Sequence, residues 1–425
     1  MERYSSYRDS GTEWLAGIPT HWADVNPKAL FTQRKDRAFI GDRQLTASQQ
    51  YGIMYQDEYM ELTGTKVVTV DKDFDILKHV EAGDFVISMR SFQGGLEYSE
   101  IEGCISSAYV MLIPNLEYVY PPFYRWLLKS DGYINALRST SNLVRDGQAM
   151  RYSNFAQVRL ICPPMNEQVV IADYLSQKIT HIDSLIAEAK ASIEEYKQWK
   201  ASIIYEAVTK GLDQNVEMKD SGVEWIGEIP QAWEIKLLSQ LAFRVKNNNT
   251  GMQENNLLSL SYGKIKRKSI NSTDGLLPES FDGYNIINAG DIVLRLTDLQ
   301  NDHKSLRVGR AEERGIITSA YVTVRPLEEN ISEYLYYALH SFDVKKGFYG
   351  MGSGVRQGLN YSEVKTLKLP FPDARTQHSI VKFIKAKVAK IDSLISEKES
   401  LVADLESYKK SLIYEAVTGK RRVCR

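Results

Sequence analysis

The sequence is poor in cysteine and has no excess of either charge. Its three cysteines, Cys104, Cys162 and Cys424, are odd in number, far apart and free of any Cys-x-x-Cys spacing. That argues against a disulfide framework or a zinc site and fits a reducing cytoplasm. Lys plus Arg number 53 and Asp plus Glu 54, for a net charge of −1. Nucleic-acid binding by bulk charge alone is therefore not expected. No apolar run approaches the ~18 residues of a membrane helix. The start, Met1 to Ser6, lacks the apolar core of a signal peptide. Also absent are Gly-x-Ser-x-Gly, His-Glu-x-x-His and a phosphate loop ending in Gly-Lys-Ser/Thr. The six histidines read as ordinary core or surface residues. What remains, 43% hydrophobic and 25% charged, is the composition of a folded chain. At about 150 residues per domain, two to four domains are expected.

The sequence also repeats itself. Asp9-Ser10-Gly11-Thr12-Glu13-Trp14 with Ile18-Pro19-Thr20-His21-Trp22 returns as Asp220-Ser221-Gly222-Val223-Glu224-Trp225 with Ile229-Pro230-Gln231-Ala232-Trp233, an offset of 211 residues. Tyr51-Gly52 recurs at the same offset as Tyr262-Gly263. Ala82-Gly83-Asp84 recurs as Ala289-Gly290-Asp291, and Ser107-Ala108-Tyr109-Val110 as Ser319-Ala320-Tyr321-Val322. Ile204-Tyr205-Glu206-Ala207-Val208-Thr209 matches Ile413-Tyr414-Glu415-Ala416-Val417-Thr418. The copies agree at their ends and differ in their middles, which suggests one architecture serving two ligands or two versions of one ligand.

Each copy mixes short β-rich stretches with turns and aromatic-rich helical stretches, an α+β pattern. A proline turn follows, Cys162-Pro163-Pro164 or Pro370-Phe371-Pro372, and then a helical pattern. Leu175, Ile179, Ile182, Ile186, Ala189, Ile193, Tyr196, Lys200 and Ile203 alternate steps of four and three. Ile384, Val388, Ile391, Ile395, Lys398, Val402, Leu405, Lys409 and Leu412 do the same. This is a coiled-coil seam of roughly 40 Å in each copy. Two such stripes in one chain are expected to bury each other, antiparallel if a pseudo-twofold axis relates the copies, with the globular parts at opposite ends. The expected organisation is a globular domain over 1–165, a helix over 166–210, a second globular domain over 211–374, and a second helix with a basic tail over 375–425.

Two strings imitate an adenine methyltransferase: Phe348-Tyr349-Gly350-Met351-Gly352 and Tyr120-Pro121-Pro122-Phe123. Tyr120 stands where that chemistry needs a polar acceptor, and Lys345-Lys346 stand where an apolar strand should lead in. A self-contained methyltransferase is thus a rival reading, as is a coiled-coil scaffold that binds no DNA. The signals for nucleic acid are Lys264, Lys266, Arg267 and Lys268 after Tyr262, and Arg295, Thr297 and Gln300 after an expected strand. In the first copy they are Arg34, Lys35, Arg43 and Gln50, with Arg90 and Gln93 after the equivalent strand. The matched Arg145 and Arg356 complete the candidates. Arg and Gln bond guanine and adenine edges, and Lys serves phosphates.

With these marks the sequence resembles type I restriction–modification specificity subunits over essentially its whole length. The marks are the two Asp-Ser-Gly-x-Glu-Trp motifs, Gly354-Val355-Arg356-Gln357-Gly358-Leu359-Asn360-Tyr361, the Glu167-Gln168 and Gln377 helix starts, and the Ile-Tyr-Glu-Ala-Val-Thr ends. The sequence departs from the pattern at Ser139 to Met150 and at Arg375-Thr376. The resemblance implies a non-catalytic subunit without cofactors, in which each globular domain reads one half of a split double-stranded DNA target. It implies paired helices that set the spacing and dock two modification subunits, which nuclease–translocase subunits then join. S-adenosylmethionine, ATP and magnesium would belong to those partners.

Overall fold

The computed structural model describes residues 3–70, 74–88, 91–140, 150–270, 278, 280–351 and 358–423. The chain divides into two compact units, Met1–Lys190 with Ser400–Arg425, and Ala191–Glu399.

The first unit contains β1 (Phe31–Arg34), β2 (Leu45–Ser48), β3 (Gly52–Tyr55), β4 (Phe85–Ile87), β5 (Glu97–Tyr98) and β6 (Val110–Pro114). An antiparallel sheet has the order β1-β6-β4-β5, and β2 with β3 forms a separate hairpin. The second unit contains β7 (Ala242–Arg244), β8 (Leu258–Ser261), β9 (Lys264–Arg267), β10 (Ile292–Leu294), β11 (Val308–Arg310) and β12 (Val322–Pro326). Its sheet has the order β7-β12-β10-β11, and β8 with β9 is the hairpin.

Strands β4 and β10 are apolar at every position and fully buried, as a strand covered on both faces requires. The period of two sorts their side chains. Phe85 and Ile87 enter one core and Val86 another, and Ile292 and Leu294 are likewise separated from Val293. Each such side chain contributes about 1.5–3 kcal/mol of burial.

The repeated Ala-Gly-Asp precedes these strands for a geometric reason. Gly83 and Gly290 have φ of +105° and +89°, which a side chain would strain. The following aspartate accepts the N–H three residues earlier, Glu81 to Asp84 at 3.1 Å and Asn288 to Asp291 at 2.8 Å. Each buried aspartate also takes a two-pronged arginine. Arg34 of β1 reaches Asp84 at 2.6 and 3.1 Å. Arg325 of β12 reaches Asp291 at 2.7 and 2.8 Å. The same turn is thus closed by arginines from non-equivalent strands.

Three longer helices follow in chain order: α1 (Met165–Lys210), α2 (Ser332–Val344) and α3 (Ala374–Val417). Every seam position named above is buried or half-buried. In the first unit, Ile171, Leu175, Ile179, Ile182 and Ile186 of α1 share a core with Leu412, Ala416 and Val417 of α3. Lys409 Nζ lies 2.6 Å from Asp183 Oδ1 there. In the second unit, Ile204, Ala207 and Val208 of α1 share a core with Ile380, Val381 and Ile384 of α3. Lys200 Nζ lies 2.7 Å from Asp392 Oδ1.

The terminal motifs receive these helix ends. Asp9 and Asp220 each accept the N–H of the glycine two residues on, at 3.0 and 2.9 Å. These turns lead to Trp22 and Trp233, both buried. A Cβ on Gly419 would press into Pro19 and Trp22, and one on Gly211 against Trp233. Gln168 spans the start of α1, donating to the Tyr118 and Pro163 carbonyls at 2.8 Å and accepting from the Tyr120 N–H. Gln377 donates to Pro372 O at 2.7 Å. Glu167 accepts from Tyr4, His21 and Trp22. Thr376 follows Arg375 where the second copy departs from the pattern, and its hydroxyl donates to Asp373 instead.

Among the described residues, no helix is long and apolar enough to cross a membrane. No cluster of three or more His, Cys, Asp or Glu residues is arranged to hold a metal there.

Candidate nucleic-acid interface

In the second unit the β8–β9 hairpin turns on Tyr262 and Gly263, with φ of +47° and +77°. Two consecutive positive φ values give the type I′ turn that matches strand twist. Glycine suits it, whereas a tyrosine there costs about 1–2 kcal/mol. Tyr262 is 75% exposed, so burial does not offset that strain. Lys264, Lys266 and Lys268 are exposed on the same hairpin. Arg267 is also exposed, with its Nε 2.7 Å from Glu313. A Cβ on Gly263 would lie 3.1 Å from Leu306, so the hairpin tip rests on the loop that follows β10.

That loop, from Arg295 to Leu306, is folded around Arg307, whose side chain is fully buried. Its NH1 donates to the carbonyls of Arg295 and Thr297 at 3.1 and 2.7 Å. Its NH2 donates to the carbonyls of Asp298 and Asp302. Its Nε donates to the Tyr349 hydroxyl at 2.9 Å, and that hydroxyl donates to Asp302 O at 2.8 Å. The Arg307 backbone N–H donates to Asp343 at 2.5 Å. Burial pushes the Asp343 carboxyl up to about 6. The Ser305 N–H and hydroxyl hold Asp302 down at about 2. Arg295 places its NH2 3.5 Å from Asp302. Thr297 is half-buried and bridges to Gly358. Gln300 is exposed, and its carbonyl accepts from His303 Nε2 at 2.9 Å.

The first unit carries the same pairing of hairpin and loop. The β2–β3 tip is Gln49-Gln50-Tyr51, closed by Gly52 at φ +74°. Gln50 and Tyr51 are exposed. A Cβ on Gly94 would lie 2.7 Å from Gln49, so this tip also rests on the segment after the central strand. Gln93 is exposed on that segment, and Lys35 is exposed after β1. Arg34 is engaged by Asp84 and Asp36 inside the unit. Arg43 pairs with Asp57 and Glu58 and lies 3.5 Å from the Tyr55 ring centroid. Arg90, Arg145 and Arg356 lie outside the described residues.

Tyr262, Asn301 and Arg307 were not among the sequence candidates. The recurrence of Tyr51-Gly52 as Tyr262-Gly263 was the available signal for the hairpin tip. The methyltransferase-like strings have structural work. Phe348 is buried against Phe342, Tyr349 holds Arg307, and Pro121 with Pro122 opens a short helix, Pro121–Leu127.

No family model matches the chain. A Methanocaldococcus jannaschii protein provisionally named the MjaX type I restriction enzyme specificity subunit is 23% identical over 320 residues, 74% of this chain and 71% of that protein. The MjaVIII type I restriction enzyme specificity subunit of the same organism is 26% identical over 285 residues. That match spans 63% of each protein, a little under two thirds. A chain from the solved structure described as "complex assembly and conformational transition of the type I R-M system" superposes with a TM-score of 0.67. It is 12% identical, and the superposition covers 94% of this chain and 98% of that one, a likeness of fold. Both curated relatives are type I restriction enzyme specificity subunits, and this chain, with its internal repeat, is similar to them over 63% to 74% of its length.

Proposed function

We propose that each unit reads one half of a bipartite double-stranded DNA target through its hairpin tip and the loop after its central strand. The observation that carries this reading is that both units bring an exposed Tyr-Gly hairpin tip onto that loop. In the second unit, Lys264, Lys266 and Lys268 meet phosphates, and Gln300 meets a base edge. Tyr262, exposed and strained, stacks or wedges against the duplex. In the first unit, Lys35, Gln50 and Gln93 play the corresponding parts. Arg34, Arg43, Arg267 and Arg295, each engaged by carboxylates, shape the surface, and Thr297 closes the loop.

The helices α1 and α3 form an antiparallel coiled coil that sets the spacing between the half-sites. Two reciprocal ion pairs support this, Lys409 with Asp183 and Lys200 with Asp392. They join positions that correspond in the two copies. Leu185 and Trp199 of α1, and Leu394, Leu401 and Tyr408 of α3, are 36–50% exposed. Leu394, Leu401 and Tyr408 recur every seven residues and give α3 a second apolar stripe, while Leu185 and Trp199 lie fourteen residues apart on α1. This pattern fits the docking of two modification subunits, which restriction subunits then join and which supply the chemistry.

The test is to map modified adenines in a host carrying the intact system. Residues 234–358 are then exchanged for those of a related subunit. Only one half of the target should change. Change in both halves, or in neither with activity intact, would refute independent reading.

A further inference from the structure

We propose that Arg307 sets the sequence preference of the second unit without touching DNA. It does so by holding the loop Arg295–Leu306 in the shape that presents Gln300 and Asn301 outward. The inference rests on the reading above, in which this loop meets a base edge.

A buried guanidinium is costly unless its N–H groups are bonded, and it has five. Arg307 makes five side-chain bonds, to the Tyr349 hydroxyl and to the carbonyls of Arg295, Thr297, Asp298 and Asp302. Four of the five acceptors are main-chain groups of the loop itself. The cation is therefore satisfied only when the loop has this one course, including the left-handed Asp298 at φ +57°. The loop is also closed from below. His303 stacks on Tyr349 with centroids 5.0 Å apart and planes at 20°. Lys346 Nζ donates to His303 O at 2.5 Å. Asn301 Nδ2 donates to Asp298 Oδ1 at 2.8 Å, which fixes the neighbour of Gln300.

Because the acceptors are carbonyls, the hold of Arg307 on the loop needs no particular side chain at 300 or 301. Those positions remain open to the amides that bond adenine, while their placement is fixed in advance. Arg307 is a positioning residue, and Gln300 and Asn301 are the specificity-determining ones. Lysine in its place keeps the charge but has only three donors on one nitrogen and cannot span four carbonyls.

The test uses the full chain assembled with its modification subunits and a pool of random-sequence duplexes, the bound fraction being sequenced. The exchange of 234–358 identifies the half-site belonging to this unit. Arg307→Lys should weaken enrichment at that half roughly tenfold, the scale of one lost base contact. The other half should stay unchanged. The salt dependence of binding should also stay unchanged, because no phosphate contact is lost. Tyr349→Phe, which keeps the arginine and its four carbonyl bonds, should weaken the same half to a smaller degree. Full enrichment at both halves in Arg307→Lys overturns the proposal. If Arg307→Lys loses its cooperative unfolding transition, Tyr349→Phe decides: selective weakening of one half supports the proposal, and a wild-type pattern overturns it. If the wild-type protein enriches nothing at the second half, the reading of the unit itself has failed, whatever the variants do.

Discussion

Asp343 and His340 lie about one turn apart on α2, and burial acts on them in opposite senses. It raises the carboxyl to about 6 and lowers the imidazole to about 4. An unfolded aspartate ionises near pH ~4, so the folded chain holds an extra proton between there and about 6. The Asp343 contribution is complete below that window and is lost as pH rises through it. His340 is neutral in the fold where the unfolded chain is protonated, so its contribution is lost as pH falls from ~6.5. The two slopes oppose each other across one window. Relative to wild type, Asp343→Asn should gain stability with rising pH and His340→Gln should lose it. Each difference should amount to about 1 kcal/mol per pH unit, measured by urea unfolding at several pH values. Parallel profiles for all three proteins would show that burial does not govern these groups. Neither group was legible in the sequence, and nor was Arg307. The partners of Arg307 are carbonyls, which every residue has, and a hydroxyl 42 positions on. The Arg34–Asp84 and Arg325–Asp291 pairs were hidden for another reason. Aligning the copies matches the aspartates but not the arginines, which come from different strands.

The long helices were the most legible elements, because a three–four step of apolar residues has few other physical meanings. Their polar seam positions were harder to interpret. Lys200 and Lys409 each find an aspartate on the other helix within their own unit. Such partly exposed pairs contribute about 0.2–1 kcal/mol and chiefly oppose slipped registers. Lys409→Asp places two acids together and should lower stability by roughly 1 kcal/mol. Adding Asp183→Lys should restore most of the loss, as followed by thermal unfolding in a double-mutant cycle. A double variant as weak as the single would mean the two side chains do not interact. The short strands were legible only as β-rich stretches, since three residues carry too little alternation to locate their ends. The hairpins were marked by Tyr-Gly, but the seating of their tips on the loops depends on contacts across more than forty residues.

At the scale of the whole chain, the duplication was evident from the repeated motifs, and so was the similarity to type I restriction enzyme specificity subunits. Which candidate residues are free to meet a ligand depends on exposure, which residue type alone does not reveal. If the helices set the spacing, inserting one heptad in each keeps the seam in phase and adds about 10 Å. At ~3.4 Å per base pair the gap in the target should grow by about three base pairs. Adenine mapping of the modified host reads this directly, and an unchanged gap with full activity would exclude a rigid spacer. The division of the chain has a further consequence. The first unit takes residues 1–190 from one end of the chain and 400–425 from the other. Tyr7 donates to the Gly419 carbonyl and Tyr414 to the Trp14 carbonyl, while Leu412, Ala416 and Val417 complete the first core. On the ribosome, that core therefore stays open while the whole second unit is made. At roughly 5–20 residues per second the wait is on the order of ten to fifty seconds. The unit synthesised first is the one that closes last, and its apolar face is exposed to chaperones and proteases throughout translation.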